Sequence, residues 1–192
     1  MKPAKASVPQ VGIAIIPIAI TPIPALHPIL SYFVFNWDVR ATQFPNSLPG
    51  AARDESAFSP IDFPRPVTIW FETPLGLSPC TINPLEPNGK PTPINVGRVL
   101  ACISRELYRP IEPTALHAGH PLLPAVRQAA ASRPYDPDLN RNKRVPRNID
   151  LYPVSPTQHG APLFFRYIEV QHCGGGAVRL VARFGPKPLK VV

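Results

Sequence analysis

Phe33-Val34-Phe35-Asn36-Trp37-Asp38-Val39-Arg40 puts apolar residues at every second position, Phe33, Phe35, Trp37 and Val39, and turns Asn36, Asp38 and Arg40 to the other side. A period of two marks a half-buried β-strand, so the stretch predicts a core strand with a polar outer face. The same kind of pattern recurs near the C-terminus. Leu163-Phe164-Phe165-Arg166-Tyr167-Ile168-Glu169-Val170 and Ala177-Val178-Arg179-Leu180-Val181-Ala182-Arg183-Phe184 flank a loop containing Gly174-Gly175-Gly176. Two strands joined as a hairpin is the simplest reading. Val67-Thr68-Ile69-Trp70-Phe71, β-rich and bounded by Pro66 and Pro74, reads as a further short strand.

Proline separates these segments. The chain has 29 prolines in 192 residues, where average usage gives roughly 10, and each one excludes a helix interior or a central strand at its position. The main windows without proline are 29–44, 94–109 and 163–185. In the middle window Val96, Val99, Leu100, Ile103 and Leu107 recur at helical spacing, Asn95 is placed to cap and Pro110 to stop, which predicts a helix over 96–108. Arg98, Arg105 and Arg109 fall together on its opposite, outer face. Leu122, Val126, Ala129 and Ala130 predict a shorter helix near 122–132, with Pro124 acceptable in its first turn. The stretches from Pro84 to Pro93 and from Pro134 to Asn142 read as connectors. The fold class is therefore α+β: a small mixed or antiparallel sheet with about two helices on one face and proline-rich loops.

The length fits one domain. Residues 1–25 form a proline-interrupted apolar segment, 26–170 the single α+β domain, and 171–192 a basic C-terminal strand and tail packed on it. Within the first segment Pro17, Pro22 and Pro24 break an apolar run too short to span a bilayer, so it reads as an extended segment or edge strand, with no membrane partner. Cys80, Cys102 and Cys173 are odd in number and widely spaced. They read as buried thiols in a reducing compartment, which places the chain inside the cell, in cytoplasm or nucleus.

The order Leu26-His27-Pro28-Ile29-Leu30, Trp37-Asp38-Val39, Ile94-Asn95-Val96 leading to Val99-Leu100, and Arg147-Asn148-Ile149-Asp150-Leu151 resembles an uncharacterised domain family of mushroom-forming (basidiomycete) fungi. The resemblance spans residues 26 to about 170. It implies a compact α+β domain of fungal intracellular origin, with no reaction attached.

Charge gives the functional lead. Residues 1–126 carry nine Lys and Arg against eight Asp and Glu, whereas residues 127–192 carry eleven against four, so nearly all of the net +8 is C-terminal. Arg179 and Arg183 share a strand face, and Arg141-Asn142-Lys143-Arg144-Val145-Pro146-Arg147 adds a basic run. Two residues apart on the first strand, Asp38 and Arg40 share a face. Asp38 is expected to fix a loop or to pair with a basic residue such as Arg144 or Arg147, and Asp150 to act likewise. The candidate partner-binding residues are Asp38, Arg40, Arg144, Arg147, Arg166, Arg179 and Arg183. The first expectation is a non-enzymatic, protein-binding domain. Nucleic-acid binding through the basic C-terminal third, with Phe164, Phe165 and Tyr167 available for stacking, ranks second. An unrecognised hydrolase or transferase ranks third and would need a pocket gathering Asp38, Asp150 and a histidine.

Residue patterns for catalysis are sparse. There is no Gly-x-Ser-x-Gly elbow or phosphate-binding loop, and Gly174-Gly175-Gly176 lacks a strand-to-helix context. His117-Ala118-Gly119-His120 supplies two possible zinc ligands where three or four are needed. No catalytic, cofactor or metal residue is assigned. Five Pro-x-x-Pro spacings, beginning at Pro84, Pro110, Pro121, Pro134 and Pro153, can present extended helices. Thr21, Ser59, Thr73, Ser78, Thr92 and Ser155 each precede proline and are candidate phosphorylation sites.

Overall fold

The computed structural model describes residues 25–32, 36–42, 44–45, 48, 50–59, 66–85, 89–133, 145–152, 161–173 and 178–186. Their elements in chain order are β1 (Ala25–Leu26), α1 (Pro28–Ser31), β2 (Trp37–Asp38), α2 (Gly50–Asp54), β3 (Phe58–Ser59), β4 (Val67–Thr73), β5 (Gly76–Ile82), α3 (Val96–Leu107), α4 (Leu123–Ser132), a 3-10 turn (Asn148–Leu151), β6 (Phe164–His172) and β7 (Val178–Gly185). β1 and β3 form a small antiparallel pair, and the rest make a five-stranded sheet in the order β2-β6-β7-β4-β5. β7 runs parallel to β4, and the other pairings in that sheet are antiparallel. The α+β expectation is met, with the sheet mixed rather than purely antiparallel. The last strand is central: β7 lies between β6 and β4.

Local chemistry accounts for the elements that were legible. The Asn95 side chain accepts the Arg98 N–H at 2.8 Å and starts α3 one residue later, as a cap does. Val96, Val99, Leu100, Ile103 and Leu107 are all fully buried along one stripe. They pack on Ile69, Phe71, Cys80, Leu180 and Ala182 of the inner sheet face in the main core. α1 and α2 add Leu30 and Ala52 to that core. α4 packs on the 3-10 turn in a second cluster of Leu116, Leu123, Val126 and Leu151.

Three expectations change. The first strand is only Trp37–Asp38, followed by a turn through Val39–Ala41, while Phe33 and Phe35 lie outside the described residues. The cause is Asp38, whose Oδ1 accepts the Arg40 N–H at 3.0 Å and whose carbonyl accepts the N–H of Ala41 at 3.1 Å. An aspartate that bonds the backbone two residues on makes a turn of what the apolar pattern alone would extend. Second, β5 appears where no strand was read. Pro79 sits within it, which an edge strand tolerates because a missing N–H need not interrupt a ladder on its open side. Third, Cys80 of β5 and Cys102 of α3 are joined as a disulfide, with Cα atoms 6.6 Å apart and 22 residues of sequence separation. Both are buried, as expected, but they are not free thiols, and the cysteine argument for a reducing compartment falls away. Cys173 is the free one. Residues 1–24, with the expected N-terminal segment, lie outside the described residues.

Closing a loop of that length restricts the unfolded chain by about 3 kcal/mol. We expect the double variant Cys80→Ala/Cys102→Ala to lose about that much stability in urea titration, and dithiothreitol to cost the wild type a similar amount and the variant nothing.

Candidate functional site

The side of the sheet away from α3 is assembled by register. Thr68, Trp70 and Glu72 of β4 face Thr81, Pro79 and Leu77 of β5, and Trp70 pairs with Val181 of β7. On β7 the residues with this parity are Arg179, Val181 and Arg183, and on β6 they are Tyr167, Glu169 and Gln171. Apart from the buried Val181 these side chains are partly or largely exposed. The Arg179 guanidinium lies over the Trp70 ring, 5.2 Å from its centroid, a cation–π contact. Arg183 bridges two strands: it pairs with Glu72 of β4, and its Nη2 lies 2.5 Å from Glu169 Oε2 of β6. Thr68 and Thr81 join hydroxyls at 3.0 Å. Two arginines and two glutamates thus share this face with one tryptophan.

The hydrogen bond from Arg183 holds the Glu169 carboxyl below its ordinary value. A depressed carboxylate pKa adds stability above the unfolded value of 4.5 that disappears as pH falls through the folded value. Arg183→Gln should therefore be less stable than wild type near neutrality, and the difference in melting temperature should shrink as pH drops below about 4.5.

The other nominated arginines serve the interior. Arg40 is 2% exposed and donates to the carbonyl oxygens of Ala161 (3.0 Å), Tyr152 (3.2 Å) and Ile149 (3.5 Å). Arg147 is 4% exposed and donates to the Tyr108 carbonyl at 2.5 Å. Both were expected on a partner-binding surface, and both instead fasten loop carbonyls inside the fold. Beside them Arg133 Nη1 meets Asp150 Oδ2 at 2.5 Å, with both side chains 1% exposed. The same carboxylate oxygen accepts the Arg147 N–H at 2.9 Å. Burial lowers the Arg40 pKa, against the charges of Asp150 and Asp38, and burial raises that of Asp150, against Arg133. Asp38 is a structural acceptor as well, holding the Leu163 N–H at 3.2 Å, so it fixes a loop and makes no bridge to Arg147. Arg166 occupies an irregularity in β6 and lays its guanidinium on Gly185, where a Cβ would come within 2.1 Å of Nε. Arg144 lies outside the described residues. Of the seven, Arg179 and Arg183 share the outer face.

The partners of Asp38 and Asp150 are backbone amides and Arg133, so no described histidine meets either carboxylate. His27 is used locally: Nδ1 accepts the Ile29 N–H at 3.2 Å to cap α1, and Nε2 lies 2.6 Å from Glu55. His117 and His120 accept the N–H groups of Gly119 and Leu122, and the described residues hold no cluster of three or more metal-ligating side chains. No described helix is long and apolar enough to cross a membrane. The sequence reading left out Trp70, Glu72 and Glu169 as members of one surface. The alternation of Thr68, Trp70 and Glu72 with Val67, Ile69 and Phe71 was the available signal, but the neighbouring strands that complete the face come from distant sequence.

Asp150→Ala breaks the buried pair with Arg133, a change that costs about 3–5 kcal/mol. Urea denaturation should show that loss, against less than about 1 kcal/mol for Arg183→Gln at the half-exposed bridge.

The chain matches no protein-family model, no curated protein and no solved structure.

Proposed function

We propose that this chain is a non-enzymatic domain that binds another protein through the outer sheet face. The observation that carries the reading is the arrangement around Trp70: an accessible indole under Arg179, beside the Glu72–Arg183–Glu169 bridge and the exposed Leu77. Tryptophan, tyrosine and arginine are the residue types that concentrate binding energy at protein interfaces. Ordered charges of both signs give register and partner choice. The same balance weighs against nucleic acid here, because a phosphate backbone calls for uncompensated cations, whereas Arg183 is shared by two carboxylates.

The test is affinity capture from the source organism's extract, with and without nuclease, using wild type, Trp70→Ser/Arg179→Ser and the distant surface variant Tyr32→Ser. Proteins held specifically by wild type and Tyr32→Ser should survive nuclease and be lost by the double variant. Loss of an interface anchor weakens binding by roughly 2 kcal/mol or more, about thirtyfold. Capture that disappears with nuclease would favour the nucleic-acid reading, and capture indifferent to the double variant would remove the face from consideration.

A further inference from the structure

β5 is an edge of the five-stranded sheet, and α3 runs beside it, tied to it by Cys80–Cys102. Beyond Pro79 a groove of about 420 Å³ opens between them. Thr81, Asn83 and Leu85 form its strand side, and Arg98, Ala101 and Arg105 its helix side. An edge strand turns every second N–H and C=O away from its sheet. A groove walled by such an edge and a helix suits an extended peptide, which gains main-chain hydrogen bonds from the edge and selectivity from the side chains around it.

The charge of the groove selects the peptide. Among the described residues no acidic side chain lines it. Arg109, the next arginine, just past the end of the helix, is paired with Glu106 at 2.9 Å, and Arg183 is paired twice, but Arg98 and Arg105 have no carboxylate partner among the described residues. Arg98 is fixed by the carbonyl oxygens of Thr92 (2.8 Å), Pro93 (3.2 Å) and Asn83 (2.7 Å), which place its charge without neutralising it. Seven residues apart on α3, the two arginines recur after about 10 Å, within the span of three or four residues of an extended chain. Leu85, 52% exposed, adds an apolar contact on the strand side. The described lining holds no aromatic ring on which a base could stack, which favours a peptide over nucleic acid.

We propose that the groove between β5 and α3 binds an extended acidic peptide segment as a further strand of the sheet, with Arg98 and Arg105 reading its carboxylates. This site shares only Thr81 with the Trp70 face and stands or falls without that face.

The test is fluorescence anisotropy on the full chain, using a labelled nonapeptide of alternating Val and Glu, its Val/Lys counterpart, and a single-stranded oligonucleotide of matched charge. The acidic peptide should bind best. Arg105→Glu, and independently Ala101→Glu, should each weaken it by about tenfold or more while circular dichroism and melting temperature stay near wild type, and Trp70→Ser should leave it unchanged. Amide hydrogen exchange at Thr81 to Asn83 should slow on binding. Absence of binding, equal binding of the Val/Lys peptide, tighter binding of the oligonucleotide, indifference to both groove variants, or unchanged exchange at the edge would each overturn the proposal.

Discussion

Every proline contributes a backbone carbonyl without an N–H, and this chain has 29 of them. Its loops consequently present acceptors that their own backbone cannot match, and an unpaired carbonyl inside a fold is costly. Guanidinium groups repair the imbalance, since each carries five donors and no acceptor. Arg40 takes the carbonyls of Ala161, Ile149 and Tyr152, Arg98 those of Asn83, Thr92 and Pro93, and Arg147 that of Tyr108. Arg53 reaches the Pro45 carbonyl at 3.5 Å. Four arginines are thus spent on backbone carbonyls, two of them on carbonyls of proline itself.

Donors of this kind bring charge into the interior, and Asp150 is where that charge is compensated. Its carboxylate meets Arg133 and the Arg147 amide, and its field reaches Arg40. Through these contacts one side chain links the end of α4, the 3-10 turn and the turn after β2. Tyr108 completes the link from α3, its hydroxyl donating to the Val39 carbonyl at 2.7 Å. A second buried carboxylate, Glu106, does similar work at the other side of α3: it accepts from Ser78 at 2.5 Å and Asn148 at 3.0 Å and so joins β5 to the 3-10 turn. Apolar packing builds the sheet and α3, while the proline-rich connections are held by carboxylates and guanidinium groups.

This division explains what was legible in the sequence. α3 was read almost to the residue because its cap, apolar stripe and stop signal are all local. The C-terminal hairpin was equally plain, since β6 and β7 alternate and pair with each other. β5 was missed because Pro79 counts against a strand unless the strand lies at an edge, and edge position is a property of the assembled sheet. The pairing of Cys80 with Cys102 was missed for a related reason, as a sequence separation of 22 gives no hint that a helix returns over that strand. Arg40 and Arg147 were misplaced because a charged residue in a loop reads as solvated. Their burial depends on carbonyls supplied by segments more than a hundred residues away for Arg40 and about forty for Arg147.

Among the described residues of the C-terminal third, several arginines contribute no free positive charge to a surface. Arg133 and Arg147 are inside, Arg166 lies on Gly185, and Arg183 is shared by Glu72 and Glu169. Net charge therefore says little about the partner, and the local balance of charge says more. On the outer sheet face cations and anions share the surface with Trp70, an arrangement that favours a surface of matching pattern over a uniform polyanion. Along α3 the balance fails at Arg98 and Arg105, although the N-terminal two thirds of the sequence is close to neutral. Two cations that meet no described carboxylate thus lie in a segment that looked electrostatically quiet in the sequence, and a ligand selected by charge has a place there that the conspicuous C-terminal arginines did not announce.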